Sequence, residues 1–142
     1  MIKVKGYEDL PTPRFMTSGS VGMDLYAATS VELTLRPLER KKVPLGICIE
    51  LPKGYEAQIR PRSGLAANYG VTLLNTPGTI DWDYRGEISA IVINLSNDDF
   101  IIKRGDRIAQ MVFNKVEIPV VELVEEIENS ARGVNGFGST GI

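Results

Sequence analysis

The residues best suited to chemistry are two carboxylates, Asp81 and Asp83, in the middle of the chain. They stand two positions apart in segment 75–87 and are followed directly by Tyr84 and Arg85. In an extended backbone, residues two apart point to the same side, so this spacing predicts that both carboxylates face one pocket. Neighbouring charges can adjust the protonation of such a pair, which suits a general base. An acidic surface loop without function is the alternative, because loop tips are commonly polar.

The chain contains no histidine, and this narrows the possible chemistry. Nucleophilic sites that depend on histidine, and zinc sites ligated by it, are excluded. A general base must then be a carboxylate, and a metal ion would be a hard cation bound through oxygen, with Mg²⁺ on substrate phosphates the best candidate. The single cysteine, Cys48, lies on a predicted strand with no cation beside it in the sequence. It is predicted to be a buried, unreactive thiol.

Phosphate binding is indicated by the segment Pro61-Arg62-Ser63-Gly64. Pro61 ends the preceding strand, and Ser63 is predicted to cap a short helix. Backbone N–H groups at a helix start, with the Arg62 guanidinium beside them, form a site for an anion. An ordinary helix cap is the alternative. Asp24, inside the strand-like segment 21–27, is a further candidate, and a solvent-facing acid at a strand end is its plainer interpretation.

The C-terminal segment 132–141 contains four glycines but does not resemble a plain linker. Its polar and aromatic side chains include Arg132, Phe137, Ser139 and Thr140. Arginine and hydroxyl groups bind phosphate, a phenyl ring stacks on a base, and glycines let the backbone approach a ligand. A G-x-G-x-x-G spacing also begins at Gly136, but no strand–helix unit surrounds it, so it is not a dinucleotide-binding loop. We predict a mobile tail that becomes ordered on a ligand, with plain disorder as the alternative.

Composition predicts one ordinary soluble domain. The chain has 142 residues, 43% hydrophobic and 24% charged, with a net charge of −2. Because there is no basic excess, nucleic acid is not expected as a partner. The apolar runs are too short to span a membrane, and the first residues lack the apolar core of a signal peptide. A single cysteine fits a reducing compartment, so a cytoplasmic location is predicted.

Alternation of apolar and polar residues predicts many short strands. The clearest run extends from Val43 to Leu51. Other predicted strands lie near residues 2–4, 21–27, 31–35, 55–59, 71–74, 88–95, 100–102, 107–113 and 120–124. The runs before and after the central acids predict a hairpin, with a turn at Pro77-Gly78 in which the glycine takes a positive φ. With only residues 61–67 helical in character, the pattern predicts an all-β sandwich or barrel.

Five segments, in this order, resemble the motifs of the trimeric dUTPases, the deoxyuridine 5′-triphosphate nucleotidohydrolases. They are residues 21–27, 61–66, 78–87, 104–110 and 132–141. The resemblance implies a single-domain, jelly-roll-like β-barrel or sandwich with one short helix. Residues 1–128 would form the β domain, and residues 129–142 a flexible, Gly-rich C-terminal arm. The arm would close over the active site of a neighbouring subunit in a symmetric homotrimer.

The reaction that the resemblance implies is that of a dUTP diphosphatase. Water attacks the α-phosphate of dUTP, with Mg²⁺ on the triphosphate, and dUMP and pyrophosphate are released. This reaction keeps uracil out of DNA and supplies dUMP for thymidylate synthesis. By position, Asp81 would deprotonate the water, and Asp24 would help to position Mg²⁺ through its water shell. Asp83 would support the hairpin and pair locally, for example with an arginine.

The other positions that the resemblance carries over would bind the substrate. Tyr84 would pack on the deoxyribose and leave no room for a 2′-hydroxyl. The positions that would enclose and recognise uracil are Asn75, Gly78 and Ile80. The positions that would hold the phosphates are Arg62, Ser63, Gly64 and Gln110. The positions in the tail are Phe137, which would stack on uracil, Gly138 beside it, and Arg132, Ser139 and Thr140, which would clamp the γ-phosphate.

Trp82 departs from the family pattern, in which a small or acidic residue is more usual between the two acids. An indole there would add a contact between chains or alter access to the site. Two other functions stay open at this point. A dCTP deaminase would share the fold and would release ammonia from dCTP. A non-catalytic β-trimer that binds a nucleotide or a protein partner would leave dUTP intact.

Overall fold

The computed structural model describes residues 1–136 and Ser139. This part of the chain contains eleven β-strands and one helix. In chain order they are β1 (Ile2–Lys3), β2 (Gly22–Tyr26), β3 (Leu33–Leu35), β4 (Arg40–Pro44), β5 (Ile47–Cys48), β6 (Tyr55–Arg60), α1 (Ser63–Tyr69), β7 (Val71–Leu73), β8 (Gly78–Ile80), β9 (Ser89–Asn94), β10 (Phe100–Ile102) and β11 (Arg107–Lys115). The prediction of an all-β domain with one short helix is confirmed. No helix in these residues is long and apolar enough to cross a membrane.

Two antiparallel sheets form the body of the domain. The larger has the strand order β2-β11-β6-β8, and the smaller has the order β4-β9-β7. Two separate pairs, β1 with β5 and β3 with β10, complete the strands. One hydrophobic core contains side chains from both sheets, among them Leu25 and Met111 from the larger and Val43 and Val92 from the smaller. The two sheets therefore pack face to face across a shared core.

Alternation along the strands decides which side chains reach the core. In β2, Met23 and Leu25 are buried, and Asp24 between them is only half-buried. Successive side chains of a strand point to opposite faces of the sheet. Burial of its two neighbours therefore turns Asp24 away from the core and makes it available for polar contacts.

The predicted single strand from Val43 to Leu51 is two strands. β4 ends at Pro44 and β5 begins at Ile47, because the chain bends at Gly46, where φ is +66°. A Cβ atom at Gly46 would lie 3.0 Å from the Cβ atoms of Ala28 and Tyr7, so the bend needs glycine. Apolar side chains remain buried on alternate positions through the bend, which is why the sequence pattern did not reveal it. Cys48, on β5, is half-buried rather than fully buried.

The strand predicted at residues 120–124 is absent. Residues 116–136 contain no strand or helix, and Val120, Val121 and Leu123 are 88%, 90% and 103% exposed. A strand needs a neighbour to accept its backbone hydrogen bonds, and β11 is already flanked by β2 and β6. The apolar pattern is therefore present, but within one chain it has no partner.

The predicted hairpin is confirmed, and its loop is longer and more structured than a turn. β7 and β9 pair antiparallel, with Val71 opposite Asn94. The loop between them contains β8, which leaves the smaller sheet and pairs with β6 of the larger one. The Thr76–Pro77 peptide is cis. Gly78 was predicted to have a positive φ, but it is the first residue of β8 and its φ is not positive. The loop thus spans both sheets and delivers Asp81 directly after β8.

Candidate active site

Asp81 and Asp83 lie in a turn rather than in extended backbone. The N–H group of Tyr84 donates to the carbonyl of Asp81 at 3.2 Å, which closes the turn. The extended backbone assumed in the prediction is wrong, because the chain leaves strand conformation after Ile80, but the two carboxylates still face one cavity as predicted. Both carboxylates are exposed, and both line a cavity of about 430 Å³, but only Asp81 also lines a second cavity beside it. The two acids consequently have different surroundings.

The second cavity, which we call the hairpin cavity, has a volume of about 350 Å³. Four of the predicted site residues line it, namely Asn75, Ile80, Asp81 and Tyr84. Gly78 lies beside them, since a Cβ atom there would come within 3.3 Å of Asn75 Nδ2. Most of the wall comes from the β8 loop and the start of β9. A carboxylate, an amide and a phenol thus converge on one concave space of ligand size.

Tyr84 is held in place by the residues that follow it. Its hydroxyl donates to the carbonyl of Glu87 at 3.0 Å. A Cβ atom at Gly86 would lie 2.4 Å from that hydroxyl and 2.6 Å from the adjoining ring carbon, so the ring occupies the space that any other residue would fill. The Glu87 carboxylate in turn accepts from the N–H group of Gly46 at 3.1 Å. Gly86 and Glu87 were not singled out as site residues in the sequence, because their contribution is space and anchorage rather than chemistry.

Arg85 binds the turn itself. Its Nη1 donates to the carbonyls of Trp82 at 2.7 Å and Tyr84 at 3.1 Å, and its Nη2 lies 3.4 Å from a Glu50 carboxylate oxygen. Asp83 was expected to pair with an arginine, but it forms no ion pair with any residue in the described part of the chain. The arginine next to it is already committed to backbone carbonyls.

A second group of polar residues, which we call the arginine cluster, surrounds Asp24. One Asp24 oxygen accepts from Arg62 Nε at 2.9 Å, and the other accepts from Arg107 Nη1 at 3.0 Å. Arg62 Nη1 also donates to the carbonyl of Arg107 at 3.1 Å. Charge-assisted bonds of this kind hold both guanidinium groups in fixed positions. The arrangement suits the binding of an anion such as phosphate at their remaining donors.

Gln110 belongs to the same cluster. It lies opposite Asp24 on β2 and opposite Arg60 on β6, and its Nε2 donates to the carbonyl of Pro61 at 2.9 Å. A Cβ atom at Gly22 would lie 2.3 Å from the Gln110 side-chain oxygen. Glycine at position 22 therefore provides the space in which the amide sits.

Ser63 and Gly64 are exposed at the start of α1, directly after Arg62. The predicted cap at Ser63 is wrong, because the helix is capped at Arg62. That residue has extended backbone and makes no side-chain capping bond. Ser63 is instead the first helical residue, and its side chain is exposed. The first N–H groups of the helix stand beside the arginine cluster.

Arg107 is the functional candidate that the sequence did not reveal. In the sequence it lies in a predicted strand and in the segment 104–110. The pairing of β11 with β2 shifts register between Arg107 and Ala109, and such a bulge re-aims a side chain. A bulge leaves no mark in the alternation of apolar residues, so its effect on Arg107 was not predictable. The only available signal was the position of Arg107 three residues before Gln110.

Arg104, in the same segment, has a different role. It donates to both carboxylate oxygens of Asp9 and to the carbonyls of Gly6 and Thr29. Its guanidinium carbon lies 5.0 Å from the centre of the Tyr7 ring. The Arg104 hydrogen bond lowers the pKa of Asp9 below its ordinary value of 3.8. Arg104 therefore fastens the N-terminal segment to the domain and does not line the candidate site.

Within one chain the hairpin cavity and the arginine cluster are separated. Ile80, next to Asp81, lies opposite Ala57 near the start of β6, whereas Arg62 follows the end of β6. Five residues at about 3.3 Å each place Arg62 roughly 16 Å farther along the strand. The structure thus assembles two parts of the predicted site but does not bring them together in a single chain.

The tail residues lie outside both groups. Arg132 is exposed, and its Nε donates to the carbonyl of Asn135 at 2.9 Å. The N–H group of Ser139 donates to the carbonyl of Gly136 at 3.0 Å. Phe137, Gly138 and Thr140 lie outside the described residues. No residue after Ile118 lines either of the cavities beside Asp81, as far as the described residues go.

The fold and the two polar clusters define a class: an all-β domain with a carboxylate in a nucleotide-sized cavity and a set of anchored arginines. Comparison with known proteins makes the class specific. The dUTPase family profile matches residues 8–141. The chain is 57% identical, over 100% of its length and 98% of the relative's, to the deoxyuridine 5′-triphosphate nucleotidohydrolase of Caldanaerobacter subterraneus subsp. tengcongensis. It is also 57% identical, over 94% of its length and 90% of the relative's, to the enzyme of the same name from Neorickettsia sennetsu.

Solved structures show the same fold. A dUTPase variant of Staphylococcus bacteriophage 80alpha, determined with dUpNHpp, has a TM-score of 0.80 and 23% identity, with 95% of this chain and 94% of that chain covered. The dUTPase of phage phi11 of S. aureus, in a form described as coordinating a structural Mg(II) ion, has a TM-score of 0.77 and 21% identity, with coverage of 86% and 94%. These likenesses confirm the predicted jelly-roll-like architecture. The chain belongs to the dUTPase family and is an enzyme of that family.

Proposed function

We propose that this enzyme hydrolyses dUTP to dUMP and pyrophosphate, with Asp81 as the base that activates water for attack on the α-phosphate. The observation that carries the proposal is the hairpin cavity, in which Asp81, Asn75 and Tyr84 line one space. The relatives at 57% identity, which bear the name deoxyuridine 5′-triphosphate nucleotidohydrolase, support the choice of substrate. In the cell such a reaction would keep uracil out of DNA and supply dUMP for thymidylate synthesis, and we place it in the cytoplasm.

Selectivity for a deoxyribonucleotide would come from Tyr84. Its ring is held across Gly86 and anchored to the Glu87 carbonyl, so it cannot move aside without losing that hydrogen bond. A sugar packed against a fixed ring leaves no space for a 2′-hydroxyl. Asn75, Gly78 and Ile80 would enclose the uracil, where their narrow spacing would also exclude a thymine methyl group.

Assembly of the complete site would require a homotrimer. The separation of Asp81 from Arg62 along β6 supports this proposal, because the phosphate-binding residues of each site would then come from another chain. In that chain, Arg62, Ser63, Gly64 and Gln110 would hold the phosphates, with Arg107 sharing the charge. The exposed apolar residues after β11, such as Val120 and Val121, are the surface expected of an arm that packs on a neighbour.

Residues 129–142 would form the part of this arm that closes over a neighbour's site. There Phe137, with Gly138, would stack on uracil, and Arg132, Ser139 and Thr140 would clamp the γ-phosphate. The exposure of Arg132 is consistent with this role, because its guanidinium is available to a ligand. Closure by such an arm excludes water and strengthens every charge interaction in the site.

Mg²⁺ would be held mainly by the substrate phosphates. The described residues contain no group of three acidic or thiol side chains placed to ligate a metal ion. Asp24 has both oxygens bonded to arginines, so it fits an indirect contact with the water shell of the ion rather than direct coordination. When bound, Mg²⁺ would neutralise charge that develops on the phosphate oxygens. The arginine cluster would orient the same phosphates.

The first test is release of pyrophosphate from dUTP in the presence of Mg²⁺, with dTTP, dCTP and UTP in parallel. We expect release from dUTP alone. Asp81→Asn should bind dUTP but lose at least about a hundredfold in kcat, because the general base is removed. Asp83→Asn is the matched control and should keep most of the activity, since Asp83 does not line the hairpin cavity. Undiminished turnover by Asp81→Asn would refute the assigned base.

A further inference from the structure

The turn that carries Asp81 has a neighbour that no step of the proposed reaction uses. Trp82, the only tryptophan in the chain, is half-buried directly after Asp81. The ammonium nitrogen of Lys53 lies 5.5 Å from the centre of its indole ring, within the range of a cation–π interaction. Its contacts therefore indicate what role it has.

Lys53 belongs to a tight turn between Leu51 and β6. The N–H group of Tyr55 donates to the carbonyl of Pro52 at 3.2 Å, and Gly54 has a φ of +83°. The carbonyl of Gly54 accepts from the N–H group of Val116 at 2.9 Å. Val116 is the first residue after β11 and begins segment 116–128, which leads to the C-terminal arm and which we call the base of the arm. The turn that presents Lys53 to Trp82 is therefore bonded to the base of the arm.

A cavity connects the same parts of the molecule. The cavity of about 430 Å³ beside Asp81 is lined by Trp82, Asp83, Thr79, Tyr55, Val116 and Ile118, among others. Asp81 and Thr79 line this cavity and also the hairpin cavity. The base of the arm and the indole thus border the space on one side of Asp81, and the proposed nucleotide site borders the other.

Asp81 itself has little else to hold it. It is exposed, it lies outside β8, and its turn is closed by one backbone hydrogen bond and by Arg85, whose side chain is 54% exposed. A catalytic carboxylate must be held closely, because a displacement of about 1 Å can cost about a hundredfold in rate. The contact between Lys53 and the half-buried indole is a further link between this turn and the rest of the domain.

We infer that Lys53 and Trp82 are positioning residues that fix the turn of Asp81 against the base of the C-terminal arm. The inference rests on the proposed role of Asp81 as the base. Neither residue contacts the nucleotide; both act through the orientation of the carboxylate. Loss of the contact should therefore lower kcat and leave KM for dUTP nearly unchanged.

The test compares steady-state kinetics of the full-length enzyme with dUTP and Mg²⁺. We expect Lys53→Met, which keeps the length of the side chain but removes its charge, to lower kcat by about tenfold with KM within about twofold. Lys53→Arg retains a cation for the ring and should restore most of the rate. Trp82→Phe keeps a smaller aromatic ring, so its kcat should lie between those of Lys53→Met and Lys53→Arg. Lys5→Met is the matched control, because Lys5 is exposed and distant in sequence from the turn.

Tryptophan fluorescence gives a second readout that does not depend on turnover. Because Trp82 is the only tryptophan, the emission reports the contact directly. Without nucleotide, Lys53→Met should change the intensity or the wavelength of the emission, whereas Lys53→Arg and Lys5→Met should not.

The possible results separate this inference from the proposed function. Equal kcat for Lys53→Met and Lys5→Met would overturn the inference, as would failure of Lys53→Arg to restore the rate lost in Lys53→Met. A rise in KM with unchanged kcat would overturn it as well and would place Trp82 in substrate access. Asp81→Asn is measured in the same series. If it is inactive while Lys53→Met is normal, only the positioning role fails; if it is active, the proposed base fails.

Discussion

At the scale of single residues, the chemistry depends on small groups that make room for larger ones. In the proposed reaction Asp81 and Tyr84 carry the chemical roles, but Gly86 determines where Tyr84 lies, and Gly22 determines where Gln110 lies. Sequence analysis identifies the first kind of residue because carboxylates, phenols and arginines have evident chemistry. It does not identify the second kind, because the need for glycine arises from a contact between parts of the folded chain.

Gly86→Ala tests this at the nucleotide site. The added methyl group would overlap the Tyr84 hydroxyl, which lies 2.4 Å from the position of the new Cβ, and the ring must move. We expect about a tenfold loss in kcat/KM for dUTP. The ratio of kcat/KM for dUTP to that for UTP should also fall, and pyrophosphate release measures both. Gly19→Ala is the control, since no atom lies within 4 Å of a Cβ there. If the ratio of kcat/KM for dUTP to that for UTP is unchanged in Gly86→Ala, Tyr84 does not select the sugar.

At the scale of the elements, the central hairpin was predictable and its destination was not. Apolar runs on either side of the central acids predicted β7 and β9, and these strands pair. The loop between them crosses to the other sheet as β8 because it pairs with the edge of β6. This pairing joins residues far apart in the sequence, so a local pattern does not predict it. The bulge that aims Arg107 at Asp24 and the bend at Gly46 were hidden for the same reason. Local patterns record periodicity but not pairing.

Asn94, which is fully buried in β9, makes a contact between elements that the sequence did not predict. Its Nδ2 donates to the carbonyls of Leu35 at 2.9 Å and Asp98 at 2.7 Å, and its Oδ1 accepts from the backbone N–H and the hydroxyl of Ser96. Every hydrogen-bonding position of the amide is used. Asn94 therefore joins β9 to β3 and to the turn before β10.

Asn94→Asp should destabilise the protein by about 3 kcal/mol or more, because a carboxylate oxygen would replace the donor and face two carbonyls without a hydrogen bond. Chemical denaturation at neutral pH measures the loss. Asn97→Asp, at an exposed position, is the control and should change stability by less than about 0.5 kcal/mol. Equal stability of the two variants would show that the buried amide is not required.

The N-terminal segment is fastened by an ion pair whose strength depends on pH. The Arg104 hydrogen bond lowers the pKa of Asp9 below 3.8, so folding favours the ionised carboxyl. This contribution is complete above the unfolded value of the pKa and is lost as pH falls through the lower value in the folded protein. Asp9→Asn should therefore lower Tm at pH 7, and its difference from the wild type should shrink below pH 3.8. Asp99→Asn, at an exposed position, is the control for the substitution itself, and a pH-independent difference for Asp9→Asn would contradict the assignment.

At the scale of the whole molecule, the chain divides into a packed domain and a segment with no place in its core. Every buried apolar side chain in the described residues lies at or before Val112. The apolar pattern and the C-terminal glycines predicted a β domain of residues 1–128 and an arm of residues 129–142, whereas the last strand, β11, ends at Lys115. The sequence did not indicate that residues 120–124 lack a strand partner, because an apolar alternation looks the same whether its partner is in the same chain or in another.

Deletion of residues 132–142 should leave the proposed trimer folded and assembled, because none of the described residues in this segment contributes to the core. Activity with dUTP should fall by about a hundredfold or more, since the site would lose its closing segment and the Arg132 guanidinium. Light scattering and pyrophosphate release measure the two properties on the same sample. A truncated protein that no longer forms trimers would show that this segment serves assembly rather than closure.

The separation of Asp81 from Arg62 along β6 has a genetic consequence. If each working site takes its base from one chain and its arginines from another, the activity of a site depends on the alleles that encode both chains. Two defective alleles, one altered at Asp81 and the other at Arg62, would restore function to some sites when expressed in the same cell. In those sites a normal base from one chain would meet normal arginines from the other. By the same reasoning, a single defective allele would impair sites that its normal counterpart helps to build. Inheritance of this activity would then follow the assembly and not the individual polypeptide.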